Sequence, residues 1–157
     1  MKEMFCFQCE QTAMGEGCTG RSGICGKQNH IANIQDKLTV DLIELSQIVN
    51  DCKKTDKIDR LILEGLFTTV TNVNFDEESI QNLIKEIENI KKSLLQENFR
   101  NKFEFNFDIF SVWNDDEDIR SLKSLILFGI RGMAAYTYHA YLLGYTDRKV
   151  LDFFIKL

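Results

Sequence analysis

Four cysteines lie within the first 25 residues of the chain and constrain its fold more than any other feature. Cys6 and Cys9 form a Cys-x-x-Cys pair, eight residues separate Cys9 from Cys18, and six separate Cys18 from Cys25. Five of the nine glycines fall in residues 15–26, where a loop must turn tightly and bring backbone amides against sulfur. We therefore predict that the chain begins with a metal site.

Cysteines in this arrangement can belong to three kinds of site. Structural zinc sites usually present two Cys-x-x-Cys knuckles, whereas six residues separate the second pair here. Disulfides need an oxidising compartment, and the residues before Cys6 do not resemble a signal peptide. The spacing favours an iron-sulfur cluster held by Cys6, Cys9, Cys18 and Cys25, with zinc and disulfides or reactive thiols as the alternatives.

Composition limits the class of protein. A chain of 157 residues that is 44% hydrophobic can bury one sizeable core. The formal net charge of -5 is spread along the sequence without a basic run, which argues against nucleic-acid binding. No apolar stretch reaches the roughly 18 to 20 residues that span a bilayer. We expect a cytoplasmic protein that binds neither nucleic acid nor membrane.

Apolar residues recur at spacings of three and four, which predicts an all-α fold, and the absence of proline leaves long helices free to form. A first helix is expected from about Asn29 to Cys52. A second, capped by Thr55, is expected to end near Asn74. A third follows three acidic residues and reaches about Leu94. These helices predict a three-helix bundle.

Beyond the bundle, phenylalanines alternate with polar residues and predict an extended aromatic connector. The longest predicted helix follows and ends before Gly144, and its small residues Gly129, Gly132, Ala134 and Ala135 are expected to permit close packing against another helix. A short helix capped by Thr146 and Asp147 closes the sequence. The expected segments, within one compact domain, are a cluster loop (1–28), a three-helix bundle (29–98), an aromatic connector (99–115), and a long helix with a C-terminal helix (116–157).

We interpret the remaining cysteine and the two histidines as structural residues and not as metal ligands. Cys52 completes an apolar helical stripe and is expected to be a buried hydrophobe. His30, at a helix start, is expected to be exposed or capping, and His139 to be packed or half-buried, because four thiolates already satisfy a cluster. No hydrolase triad or phosphate-binding loop is present in the sequence.

Several longer motifs accompany the cysteine spacing: Met4-Phe-Cys-Phe-Gln-Cys-Glu-Gln-Thr12, Gly17-Cys-Thr19, Gly23-Ile-Cys-Gly-Lys27, Leu63-Glu-Gly-Leu-Phe-Thr-Thr-Val-Thr-Asn72, Asp118-Ile-Arg-Ser-Leu122 and Gly132-Met-Ala-Ala-Tyr136. Together they resemble the opening of hybrid cluster proteins, a family also called hydroxylamine reductase. The resemblance covers nearly the whole chain and is most specific at the cysteines.

The resemblance implies an N-terminal domain built of three-helix bundles. It also implies that Cys6, Cys9, Cys18 and Cys25 hold a cubane 4Fe-4S cluster, because the gap between the second and third cysteines matches the short type. Family members with a longer gap hold a 2Fe-2S cluster instead. The carbon monoxide dehydrogenase catalytic subunit shares related architecture.

Full-length members of that family carry two further domains, which supply the ligands of the catalytic hybrid cluster. This chain is expected to lack them, either as a naturally small relative or as a fragment. We therefore expect an electron carrier that works with a redox partner protein and is not itself an enzyme. The alternatives are a redox or nitrosative-stress sensor, and a hydroxylamine reductase completed by self-association or another subunit.

The apolar residues of the last helix predict a surface for self-association or for binding a partner. Four of its apolar residues are expected to lack their usual neighbours and to form an exposed patch, which normally marks an interaction surface. The four residues are Val150, Leu151, Phe154 and Ile155. A homo-oligomer or a stable complex with a partner is the expectation that follows.

Overall fold

A computed structural model describes residues 3–9, 11–50, 54–97 and 114–156 of the chain. The described residues form helices and no β-strand, only two isolated bridges, which confirms the all-α prediction. Cys52 and residues 99–113 of the predicted connector lie outside the described residues. The helices are α1 (Asn29–Asn50), α2 (Asp56–Thr68), α3 (Glu77–Glu97), α4 (Glu117–Leu142) and α5 (Arg148–Lys156).

Short polar side chains begin several of these helices by accepting hydrogen bonds from otherwise unpaired amides. The Thr55 hydroxyl accepts from the amide of Ile58, and the Asp116 carboxylate accepts from that of Asp118 at 3.0 Å. Gly144 follows the last residues of α4 with a φ of +83°, the left-handed conformation that favours glycine at this position. Each of these helix ends is therefore determined by residues next to it in the sequence.

Helices α1, α2 and α3 pack against one another, α4 lies mainly along α2, and α5 rests on α1 and α2. Their apolar faces form one continuous core. Gly65 of α2 permits a close approach to α1, since a Cβ atom there would lie 2.7 Å from Cδ2 of Leu42. The helical body is thus a bundle of three helices extended by two more.

Helix α2 ends at Thr68, six residues before the predicted end near Asn74. Apolar spacing continues through Val70 and Val73, but the backbone turns because Thr69 bonds back to the preceding turn through both its amide and its hydroxyl. Asn72 then adopts a left-handed φ of +60°. Periodicity alone could not reveal this local competition from a side chain.

The predicted apolar patch on the last helix is wrong for three of its four residues. Leu151, Phe154 and Ile155 are buried in the main core, and only Val150 is substantially exposed. Helix α5 places these three residues against α1 and α2. The chain therefore satisfies this face internally.

Helix α4, by contrast, leaves an apolar face exposed. A Cβ atom at Gly129 or Gly132 would meet no atom within 4 Å, so these glycines do not mediate the predicted close packing in the described structure, whereas Ala134 is fully buried in the core. The exposed large apolar residues of α4 include Ile119, Leu122, Leu125, Ile126, Met133 and Tyr136.

Within the described ranges, no helix combines the length and apolar content that crossing a membrane requires.

Candidate metal centre

The cysteine loop precedes α1, and backbone pairing places Cys6 directly beside Cys18. The Cys6 amide donates to the Cys18 carbonyl at 3.0 Å, and the Cys18 amide donates back to the Cys6 carbonyl at 2.7 Å. Gly17 makes this approach sterically feasible, because a Cβ atom at that position would lie 2.7 Å from the ring of Phe5. Two cysteines that are twelve residues apart in sequence thus become neighbours.

Cys25 lies in a tight turn closed by the pairing of Ser22 with Gln28. Within the turn, the amide of Gly23 donates to the carbonyl of Lys27 at 2.8 Å, and that of Gly26 donates to the carbonyl of Gly23 at 2.9 Å. Gly26 has a φ of +86°, a conformation that favours glycine. This turn directs Cys25 back towards the rest of the loop.

Gly23 leaves space between two of the sulfur atoms. A Cβ atom built on Gly23 would lie 3.5 Å from Sγ of Cys25 and 3.7 Å from Sγ of Cys18. Both sulfurs therefore border the same volume, which any side chain at this position would enter. Because Cys18 is paired with Cys6, three of the four cysteines are gathered in one part of the loop.

Cys9 lies three residues beyond Cys6, and its carbonyl accepts hydrogen bonds from both the amide and the hydroxyl of Thr12. The hydroxyl of Thr71 donates to the carbonyl of Gln8 at 3.0 Å and thereby ties this turn to the segment after α2. Cys6, Cys9 and Cys25 are half-buried and Cys18 is buried. All four are free thiols in the structure.

The donor set suits a multi-iron cluster. Thiolates are the ligands that iron-sulfur clusters take, and each iron of a 4Fe-4S cluster is bound by one of them. Among the described residues, no group of three or more His, Cys, Asp or Glu side chains is arranged to hold a single metal ion. The free thiols, the volume over Gly23 and the pairing of Cys6 with Cys18 are the features that fit a cluster.

Three charged side chains that the sequence analysis did not assign to the site lie close to Cys6. Lys27 is 2% exposed and Arg131 5% exposed. Asp36 and Arg131 line a small cleft together with Cys6, Gln8 and Phe128. Arg131 interrupts an apolar run in α4, and this was the one sequence signal that could have drawn attention to it.

Burial dominates the electrostatics of this cleft. It raises the pKa of the Cys6 thiol, while a backbone hydrogen bond at Gln8 and the charge of Lys27 oppose the change. It raises the pKa of Asp36 to about 6, against the attraction of Arg131 and Lys27. It also lowers the pKa of Arg131 to about 10. All three directions follow from the cost of placing charge in a poorly solvated site.

The contacts of the two histidines in the described structure are with residues other than the cysteines. His30 is exposed, as expected, with Nε2 3.4 Å from a carboxylate oxygen of Glu77. His139 is also exposed, although its ring packs edge-on against Phe67 with 5.1 Å between the ring centres. The packing predicted for His139 is present, but the burial is not.

Comparison with known proteins agrees with these features. The profile of the Prismane/CO dehydrogenase family matches residues 4–157, which is almost the whole chain. The chain belongs to this family. The resemblance inferred from the cysteine motif is thereby confirmed.

Similar proteins of this family carry the name hydroxylamine reductase. The protein of Thermoanaerobacter pseudethanolicus is 40% identical over 98% of this chain, but the match covers 32% of that relative. That of Maridesulfovibrio salexigens is 37% identical over 92% of this chain and 30% of its own length. That of Bacteroides fragilis is 40% identical over 96% of this chain and 31% of its own length. The chain therefore spans about a third of the length of these curated relatives.

Proposed function

We propose that Cys6, Cys9, Cys18 and Cys25 bind a 4Fe-4S cluster and that the chain transfers single electrons. The observation that carries this proposal is the shared volume over Gly23, which the sulfurs of Cys18 and Cys25 both border, with Cys6 paired to Cys18. A bound iron-sulfur cluster supplies a centre that accepts and returns one electron. The protein supplies the four thiolates and a fixed loop geometry.

The loop residues perform distinct tasks in this proposal. The paired backbones of Cys6 and Cys18 hold two ligands in register, and the turn around Cys25 presents a third. Thr12 fixes the turn that follows Cys9. Fixed ligands lower the reorganisation that accompanies electron transfer, and partial exposure of Cys9 and Cys25 leaves the centre accessible to a redox partner.

Metal and sulfide analysis of anaerobically purified protein tests the proposal. We expect about four irons and about four sulfides per chain, as the 4Fe-4S stoichiometry requires. A content of about two irons and about two sulfides per chain would indicate a 2Fe-2S cluster instead. Zinc without iron would contradict an iron-sulfur site altogether.

The name of the relatives raises the question of hydroxylamine reduction. We propose that this chain by itself does not reduce hydroxylamine, because a cluster bound by four cysteines has a thiolate on every iron and leaves no position for substrate. Reduced viologen and hydroxylamine, incubated anaerobically with the protein, should yield no sustained ammonia production. Turnover that follows cluster content and is abolished by Cys6→Ser would show that the chain is a reductase.

A sensor is the second candidate, and the exposure of the loop favours it. Ile24, next to Cys25, is 61% exposed, so oxidants can approach this end of the loop. A sensor should lose its cluster when oxidised and change its binding to a partner. A carrier should cycle reversibly between two redox states with constant iron content, and repeated dye titration distinguishes the two.

We also propose that the chain self-associates through the exposed face of α4. Leu122 and Leu125 are 61% and 68% exposed and lie one turn apart. An apolar surface of this kind normally marks an interaction site. Light scattering should show a concentration-dependent dimer that Leu125→Glu converts to monomer, with Lys123→Glu as a control on the same helix. A monomer at all concentrations would count against the proposal.

A further inference from the structure

Two buried cations near Cys6 have no carboxylate in ion-pair contact among the described residues. The Arg131 guanidinium donates from Nε to the hydroxyl of Thr69 at 2.9 Å and from Nη2 to that of Thr39 at 3.0 Å. Lys27 donates from Nζ to the side-chain carbonyl of Gln35 at 2.8 Å and lies over the ring of Phe75. All of these partners are neutral.

Neutral partners do not balance a buried charge. Placing a cation in a poorly solvated site is costly unless an anion or several hydrogen bonds compensate. Asp36 lines the same cleft as Arg131, but the Arg131 guanidinium donates to the hydroxyls of Thr69 and Thr39 instead. With Asp36 ionised, Lys27 and Arg131 still leave one uncompensated positive charge.

Cys6 lies within the electrostatic field of this excess positive charge. It lines the cleft beside Arg131, and electrostatic interactions link it both to Arg131 and to Lys27. In the proposed function Cys6 is a thiolate ligand of an anionic cluster. The anionic cluster with its thiolate ligands would then balance the excess positive charge of Lys27 and Arg131.

We propose that Arg131, assisted by Lys27, compensates the negative charge of the cysteine-bound cluster and raises its reduction potential. Arg131 is a positioning residue in this sense, since it acts through Cys6 and the surrounding field. The inference rests on the proposed function, because it requires a cluster at the four cysteines. Its direction is fixed by charge: a nearby cation stabilises the reduced form, which carries one more negative charge.

Three variants, each loaded with cluster and titrated at pH 8, test the sign of the effect. Arg131→Gln removes the cation and should lower the ratio of reduced to oxidised cluster at a fixed potential. A change of about tenfold is expected for one charge at this range, which equals about 59 mV for a one-electron couple. Arg131→Lys keeps the charge and should stay near the wild-type value. Asp36→Asn removes a negative charge and should shift the ratio in the opposite direction.

Arg120→Gln is the matched control. Arg120 lies on the same helix, eleven residues before Arg131, so about 16 Å separates them along the axis. Arg120 does not line the cleft that contains Cys6, so Arg120→Gln should shift the potential much less than Arg131→Gln does. Melting temperature and iron content, measured alongside, report whether a variant has lost its fold or its cluster.

The outcomes separate this inference from the proposed function. Wild-type protein without an iron-sulfur cluster overturns both. A cluster-containing Arg131→Gln protein with the wild-type potential overturns the inference alone. If Arg131→Gln does not fold, Lys27→Met and Asp36→Asn still decide the matter, because the inference requires them to shift the potential in opposite directions.

Discussion

Buried charges are arranged in opposite ways in the helical bundle and around the cysteine loop. In the bundle, the buried carboxylate of Asp41 contacts Lys37 at 2.7 Å and Lys91 at 2.6 Å, and that of Asp59 is held by both terminal nitrogens of Arg148. Beside the loop, Lys27 and Arg131 meet only neutral partners in the described structure. The bundle is electrostatically complete by itself, whereas the loop region is arranged for an additional anion.

The largest effect should come from the loop cysteines. Cys18→Ser removes a proposed ligand that is paired with Cys6 and borders the volume over Gly23, so we expect almost complete loss of iron and sulfide. Cys52→Ser, the same change outside the loop, should keep the cluster and lower only the melting temperature, since Cys52 completes an apolar stripe in the sequence. Iron analysis of both proteins measures the contrast. Cluster loss in the Cys52 variant alone would reverse the assignment.

Asp36 should make stability depend on pH. Its pKa is raised to about 6 on folding, from 3.8, so its protonated form favours the folded state. The contribution is therefore complete below about pH 4 and is lost as the pH rises through about 6. Asp36→Asn should match the wild type at pH 4 and exceed it by up to about 3 kcal/mol at pH 8.

Thermal unfolding at several pH values measures this difference. Glu16→Gln, which alters an exposed carboxylate outside helices α1 to α5, is the control and should follow the wild-type curve at every pH. An Asp36→Asn protein that is no more stable than the wild type at pH 8 would show that the carboxylate has a compensating partner.

Arg148→Gln tests the charge balance of the bundle. The Asp59 side chain is fully buried, and Arg148 donates to it at 2.6 and 2.9 Å, so the variant leaves a buried carboxylate without its partner. We expect a loss of about 2 kcal/mol in the free energy of unfolding, less than for a fully buried pair because Arg148 is half-exposed. Lys149→Gln is the control. A double variant with Asp59→Asn should recover part of the loss, and chemical denaturation measures all of these proteins.

Local signals in the sequence were enough for the helices but not for the charges around the site. The start of α1 at Asn29, the cap at Thr55 and the glycine after α4 each depend on neighbouring residues, and all agree with prediction. The end of α2 was missed because Thr69 competes for backbone carbonyls, a choice that apolar spacing does not encode. Arg131 was missed for another reason: 125 positions separate it from Cys6, and only the packing of α4 brings them to one cleft.

The smallest effect should come from two glycines that the sequence treats alike. Both lie inside helices, where replacement by alanine ordinarily gains about 1 kcal/mol. At Gly129 the new methyl group enters open space, so Gly129→Ala should be stabilising by up to that amount. At Gly65 it would lie 2.7 Å from Leu42, so the gain should be outweighed by the cost of overpacking, about 1 to 3 kcal/mol. Neither glycine lines the cleft beside Cys6, and both variants should retain full iron content. Equal shifts in melting temperature would mean that α1 and α2 are not packed as closely as their contact at Gly65 requires, whereas iron loss in Gly65→Ala would show that the loop depends on the spacing of the bundle.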